Sequence, residues 1–393
     1  SRSRYCPKKT VSFLRKQESI LEMDSRFRGN DSEMHNCGLG FFGKETHNGI
    51  EIIRVRHTMF WKGRLAGRIL NWLSYTALAF FAALRIKPDL IIVCTDPPFL
   101  GIIGMILSRL KSAPFIYNCR DLFPDVAIGL GKLNKNNILS RAYDRVNVRA
   151  LDSAVSVICL GRSMRDRIAS KGITPERIEI ISDWADTSAI TPVPRTQTPL
   201  IEKFGLGGKF VIMHSGNIGL SQDFGAILRA LAAVGEELSF HLVFAGHGAG
   251  KTALEKTIRS LNIKNVLFLP YQPREMLSFS LCMADLHIVT LKKGMAGFIV
   301  PSKVYGIMAA GRPYLAVADK ESEPAGYAEE FGCGLWAAPD DLEAITRQIK
   351  WAIKNSEELA RMGEKGRAAA EKFFDKKLII SKWLSVLEKL DNV

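Results

Sequence analysis

The feature that most constrains this chain is a rhythm of short, unbroken apolar runs, each followed by a loop and then by residues of helical periodicity. The runs are DLIIVCT (89–95), APFIYNCR (113–120), SAVSVICLG (153–161), FVIMHSG (210–216), FHLVFAG (240–246), VLFLP (266–270) and DLHIVTL (285–291). They are too short for helices and lack the alternation of a half-exposed strand. That pattern predicts strands covered on both faces, hence parallel sheets. Between them GIIGMILSRL, residues 138–152, MRDRIASKG, GAILRALAAV and KTALEKTIRSLN read as helices. Near 183–199 the chain turns polar and proline-containing (DWADTSAITPVPRTQTP), as a linker does. The expectation is an α/β protein of two Rossmann-like domains facing across a cleft, at 44–188 and 189–375. The tail 376–393 is read as a helix packing back on the first domain.

Composition narrows the class. At 47% hydrophobic and 24% charged residues the 393-residue chain is globular, which excludes a disordered protein. Seven cysteines are scattered with no C-x-x-C pair, against a zinc site or disulfide framework and in keeping with a reducing cytoplasm. The formal charge is +14, and residues 41–188 carry +8 of it (21 basic, 13 acidic). With no Lys/Arg run of nucleic-acid type, an anionic acceptor or membrane surface ranks above DNA or RNA. Trp61, Lys62, Arg64, Arg68 and Trp72 open a helix whose sixteen uncharged residues (69–84) fall short of a bilayer span, for which about 20 apolar residues are needed. It reads either as a buried core helix or as one whose basic end touches a membrane.

Residues 1–43 stand apart. SFLRKQESILEMDSRFRGNDSEM has neither a sustained period nor the apolar core of a signal peptide, and resembles a translated dispersed repeat. The fold is expected to start at Gly49, with GIEIIRVRH as a strand.

The most informative single stretch is IVPSKVYGIMAAGRPYLAV (299–317). Pro301 suits a first helical turn, and Val304, Ile307 and Met308 recur at helical spacing. Gly311 suits a left-handed cap, and Pro313 forbids continuation. The amides of Ser302 and Lys303, with the lysine charge, suit a phosphate; an ordinary capped helix is the alternative.

Together with RDLFPD (120–125), ISDWADTS, SGNIGLSQDF, FAGHGAGK and FLPYQPREML, this stretch resembles the GT-B-fold family-four bacterial glycosyltransferases of surface-polysaccharide (O-antigen and capsule) synthesis, over about residues 45–390. The resemblance implies sugar transfer, with retention as the family precedent, from a UDP- or GDP-sugar to a saccharide, often lipid-linked. It also implies a peripheral position on the cytoplasmic face of the inner membrane. It implies no tightly bound cofactor and no metal. The donor would meet Gly216, Asn217, Gly219, Gly246, His247, Gly248, Tyr271, Gln272, Pro301, Ser302 and Lys303. Lys303 would stabilise the charge of the departing diphosphate. Asp121, beside Arg120, is the acceptor-side candidate for a general base or hydroxyl-orienting carboxylate; a helix-capping aspartate is the alternative.

The chain departs from that pattern in several places. Phe298 and Gly306 stand where many members carry two glutamates, Ser221-Gln222-Asp223 where a cation is common, and Arg120 where a histidine is common. The family's opening strand and glycine loop have no counterpart before Gly49, GLGFFG (38–43) being a poor remnant, so the N-terminal domain is expected to be incomplete. Three rivals follow: a degenerate nucleotide-binding or membrane-associated protein, a nucleotide-sugar 2-epimerase, and a phosphate-loop NTPase suggested by AGHGAGKT (245–252).

Overall fold

The computed structural model describes residues 42–56, 58–60, 65–235 and 237–391. The tail read over 1–43 lies outside them up to position 41, as do Trp61, Lys62 and Arg64 of the basic helix start. The chain packs as two units. One lies within Ser1–Tyr117 with Ser153–Val155 and Ser381–Val393, the other comprises Asn118–Asp152 and Ser156–Ile380.

The first unit opens earlier than the expected Gly49. Strand β1 (Phe42–His47) pairs antiparallel with β2 (Ile50–Val55), in register from Phe42↔Val55 to His47↔Ile50. The two-residue turn Asn48-Gly49 has φ of 48° and 80°, and the Asn-Gly pair is the sequence signal for such a hairpin. Helix α1 (Leu65–Ala83) follows, and its buried Asn71 ties the segment before it. The amide oxygen accepts from Thr58 Oγ1 and Phe60 N at 3.0 Å each, and Nδ2 donates to Phe60 O at 3.0 Å. Next come β3 (Ile91–Cys94), α2 (Leu100–Lys111) and β4 (Phe115–Cys119). Strand β3 differs from the expected fully covered strand: Ile92 is 47% exposed. No helix among the described residues is long and apolar enough to cross a membrane.

In the second unit, α3 (Asp125–Gly129) and α4 (Ile138–Ser153) lead to β5 (Ser156–Cys159), α5 (Arg162–Ala169) and β6 (Ile178–Ile180), with β5 and β6 parallel. After the linker and α6 (Pro199–Lys203) the alternation becomes regular. It runs β7 (Val211–Ser215), α7 (Gly225–Gly235), β8 (His241–Ala245), α8 (Lys251–Ser260), β9 (Val266–Leu269), α9 (Leu277–Cys282) and β10 (Leu286–Thr290). It continues with α10 (Lys303–Ala309), β11 (Tyr314–Val317), α11 (Glu323–Phe331), β12 (Gly334–Ala337), α12 (Leu342–Lys354), α13 (Ser356–Phe373) and α14 (Lys376–Asp391), which from Ser381 on belongs to the first unit.

Strands β7 to β12 form one parallel sheet in the order β12-β11-β10-β7-β8-β9. Successive side chains enter opposite faces and both faces are apolar. Ile212, Leu242 and Phe244 join one core with α7 and α12, while Met213, Val243 and Ala245 join another with α6. That is why these strands read as unbroken apolar runs. The chain winds outward from β7 to β9, then returns to lay β10 on the other side of β7. Ligands in such sheets bind beyond the carboxyl ends of the strands at this reversal.

Helix α10 is fixed from behind. Gly311, at φ 63°, ends it as expected, Gly311 N donating to Met308 O (2.9 Å) and Arg312 N to Ile307 O (3.1 Å). Pro301 stands two residues ahead of the helix rather than in its first turn, and Ser302 is the cap residue. The guanidinium of Arg367 donates to Ala309 O and Ile190 O at 2.6 Å each and to Thr187 O at 2.9 Å. Ala309 O is one of the carbonyls a helix end leaves unpaired, and the other two belong to the linker. The linker is also stitched to residues 374–376 by Ala185 N→Phe374 O and Lys376 N→Ala185 O, each 3.0 Å. Replacing Arg367 by Met leaves three carbonyls without their cation. The expected loss is about 3 kcal/mol of stability, read as a lower urea midpoint at unchanged slope.

Candidate donor site

Every catalytic and donor-binding candidate named from the sequence lies in the second unit, and most gather at the carboxyl ends of β7 to β10. The loops there lock together through their backbones. Gly216 N donates to Ala245 O (2.8 Å), Ile218 N to His247 O (2.8 Å), Gly250 N to Ile218 O (2.9 Å) and Gly246 N to Leu269 O (2.9 Å). The approach is close enough to require glycine twice. A Cβ on Gly246, whose φ is 138°, would stand 2.1 Å from Gly216 O; one on Gly248 would stand 2.1 Å from Ile218 O. Beside these loops Tyr271 is 55% exposed, and its ring meets His247 edge-on at 5.9 Å. Gln272 turns back, donating Nε2 to Pro270 O at 2.9 Å.

Lys303 opens α10 with its amine directed at this place. Its Nζ is 3.0 Å from His214 Nε2 and would be 3.8 Å from a Cβ on Gly216. His214 is fully buried near the end of β7, its Nδ1 3.3 Å from Ile288 O on β10, so it spans the strand reversal. Phe224 packs edge-on against its ring at 4.9 Å. Burial, then the neighbouring Lys303, hold the imidazole well below its usual pKa, so it is neutral. With Nδ1–H toward Ile288 O, Nε2, which also lies 3.4 Å from Asn217 O, accepts from the ammonium. Burial also pulls Lys303 down to about 7. An amine so placed is poised to take up a proton when an anion arrives. His214 escaped the sequence reading. Its signal was a lone titratable residue within the otherwise apolar run FVIMHSG.

The acceptor-side candidates are brought to the same segment by main-chain pairing. Asp121 forms an antiparallel bridge with Ile299, and Leu122 N donates to Phe298 O at 2.9 Å. Beneath, Val126, Leu291, Met295 and Ala318 form a small core with Phe123, Phe298 and Ile299. Asp121 does not cap α3: Pro124 holds that position without a side-chain bond. Arg120 is engaged by Asp183 of the linker, Nη2 donating to both carboxylate oxygens at 2.6 and 2.8 Å. Where many family members carry a glutamate, the Phe298 ring lies 4.8 Å below the Arg167 cation. Glu323, also unremarked in the sequence, is buried at the start of α11. It accepts from Ser163 N (2.9 Å) and Ser163 Oγ (2.7 Å), and burial raises its pKa.

The rival phosphate loop does not fit. Lys251 Nζ lies 3.9 Å from Glu255 and 5.3 Å from the centre of the Phe268 ring, on the flank of α8.

Comparison with known proteins assigns the class. Residues 37–184 match the model of the glycosyl transferase 4-like domain, and residues 197–369 that of glycosyl transferases group 1. The chain is 28% identical over 336 residues to the putative colanic acid biosynthesis glycosyl transferase WcaI of Escherichia coli (strain K12), covering 81% of this chain and 79% of that one. It is 30% identical over 263 residues to the probable glycosyltransferase WbjE of Pseudomonas aeruginosa, covering 67% and 66%. The chain belongs to the GT-B glycosyltransferases of this two-domain family and is an enzyme of that class. Among solved structures, Anabaena HepE in complex with UDP-glucose shares the fold at a TM-score of 0.67 and 18% identity, covering 83% of this chain and 84% of that one. WaaG, of lipopolysaccharide biosynthesis, shares it at a TM-score of 0.61 and 17% identity, covering 84% and 85%.

The Lys303 shift carries a pH dependence. Its folded value, about 7, lies below the ordinary 10.5. The unfolded chain therefore holds a proton that the folded chain has shed between those values. The penalty to stability is full below about pH 7 and disappears as pH rises toward 10.5. Affinity for an anion runs the other way. His214 and His287, the imidazoles whose fields reach Lys303, stay neutral in this window, His287 being pulled down to about 4. A nucleotide sugar, whose diphosphate does not titrate here, is expected to bind up to about tenfold more weakly per pH unit above 7. In Lys303→Met that slope disappears, as calorimetry across pH would show.

Proposed function

We propose that this enzyme transfers a sugar from a UDP- or GDP-sugar to a saccharide acceptor, lipid-linked, in the synthesis of a cell-surface polysaccharide. In this reading residues 189–375 hold the donor and 44–188 the acceptor, at the cytoplasmic face of the inner membrane. The observation that carries it is the Lys303 amine, held by His214 beneath the Gly216 backbone at the strand reversal. The names of the relatives, colanic acid synthesis for WcaI and a UDP-glucose complex for HepE, point the same way.

The chemistry follows from the charges. As the bond from the anomeric carbon to the diphosphate breaks, that electron pair moves to the departing phosphate. Lys303 stabilises it there. The acceptor hydroxyl oxygen bonds to the anomeric carbon, and its proton passes to Asp121. Arg120, paired with Asp183, holds the loop that carries Asp121. The basic start of α1, where Arg68 lies 5.2 Å over the Trp72 ring and Leu70 and Leu73 are exposed, serves as a membrane contact.

Calorimetric screening of nucleotides and nucleotide sugars, followed by transfer assays with polyprenyl-linked saccharides, tests this reading. Lys303→Ala is expected to lower transfer by at least about a hundredfold while the fold stays intact, read as an unchanged circular-dichroism spectrum. Unimpaired transfer would refute the role of Lys303. Inversion of the donor sugar at C2 with no acceptor present would replace the transferase by an epimerase.

A further inference from the structure

Glu323 takes no part in the chemistry at Lys303, yet its burial demands partners. A carboxylate out of water needs hydrogen-bond donors, and among the described residues Glu323 has no ion-pair partner. Its donors come from α5. Ser163 Oγ lies 2.7 Å from Oε1 and 2.8 Å from Oε2, and Ser163 N donates to Oε1 at 2.9 Å. Ser163 is the second residue of α5, where a helix leaves its amides without an internal partner. The cap position is Gly161, which has no side chain to offer, and a Cβ there would stand 2.1 Å from Glu323 Oε1. Glu323 therefore supplies from α11 the cap that α5 lacks, with its charge at the positive end of that helix.

The same helix lies against the segment that leads into α10. A Cβ on Gly297 would stand 2.6 Å from Ser163 O and from Arg167 Cγ, and the Arg167 cation covers the Phe298 ring. Phe298 and Ile299 in turn pair through their main chains with Leu122 and Asp121, and Lys303 follows four residues after Ile299. Contact thus runs unbroken from Glu323 through α5 to the Asp121 loop. A second tie joins α5 to α11, Arg162 Nη1 meeting Glu330 Oε2 at 3.0 Å, but those side chains are 73% and 41% exposed. Exposed pairs of that kind contribute little. The buried carboxylate is the stronger link.

We infer that Glu323 is a positioning residue for sugar transfer: by capping α5 it holds that helix on Gly297 and Phe298, and so sets where the Asp121 loop stands relative to Lys303. This role rests on the transferase reading, with Asp121 serving the acceptor and Lys303 the donor. It divides the kinetics in two. The Lys303–His214 contact and the interlocked glycine loops are built from other elements, so donor binding does not depend on Glu323. Alignment of the acceptor hydroxyl does.

The test compares Glu323→Ala, Ser163→Ala and Arg162→Ala with wild type in transfer assays, donor calorimetry and amide hydrogen exchange. Glu323→Ala is expected to lower kcat at least about tenfold and to raise the acceptor KM, with the donor Kd within about twofold of wild type. The Leu122 amide, which donates to Phe298 O, should exchange faster, while those of Gly216 and Ile218 keep their protection. Ser163→Ala keeps the main-chain donor, so it should show the same pattern more weakly, and adding it to Glu323→Ala should lower kcat little further. Arg162→Ala should match wild type throughout. Wild-type kinetics and exchange in Glu323→Ala would overturn the inference. So would loss of donor binding in a folded Glu323→Ala, which would place the carboxylate in the donor site. If Glu323→Ala does not fold, Ser163→Ala decides, and an unchanged acceptor KM with unchanged Leu122 exchange refutes the role. A wild type that transfers no sugar overturns the transferase reading and this role with it, whereas an active wild type with an unaltered Glu323→Ala overturns the role alone.

Discussion

The second unit depends on one contact between a lysine and a neutral imidazole. Lys303 Nζ and His214 Nε2 are 3.0 Å apart, and His214 in turn leans on Ile288 O across the reversal from β7 to β10. A buried ammonium is tolerated only where an acceptor meets it, and a buried imidazole is a suitable acceptor only while neutral. Burial enforces that neutrality, and the same burial brings the amine close to losing its proton. The pair therefore holds a cation at reduced cost until an anionic ligand stabilises it fully.

Around that pair the backbone does most of the shaping. Two glycine loops approach until any side chain at Gly246 or Gly248 would strike a carbonyl, and their amides are mutually satisfied at the edges. On the other side, α10 is buried almost all round: Val304, Tyr305, Ile307, Met308 and Ala309 are all fully covered. Arg367 ties its last carbonyl to the linker. The helix thus has no freedom to turn Lys303 elsewhere, which is what a charge-stabilising site requires.

Much of this was legible from the chain. Unbroken apolar runs name parallel strands because both faces of such a sheet are covered, and β4, β5, β7, β8 and β10 fall where those runs lie. Gly311 ends its helix as read. The misses have physical causes. Strand β1 was overlooked because FGKETH is polar, although Asn48-Gly49 signals its hairpin. Ile92 is half exposed although its run reads as covered, because hydrophobicity reports what a strand tolerates and not which neighbours it finds. His214 and Glu323 matter through partners 89 and 160 positions away, separations at which no local pattern operates.

The sequence by itself determined the α/β class, the positions of most strands, and the phosphate-suited stretch 299–317, because periodicity, glycine and proline act through neighbouring residues. Only the tertiary structure decided what Lys303 faces, that Arg120 is held by Asp183, and that Asp121 bridges Ile299 rather than capping a helix. It also decided that Glu323 caps α5. These outcomes depend on which distant segments the sheet order and the small apolar cores bring side by side. That is a property of the packed chain as a whole.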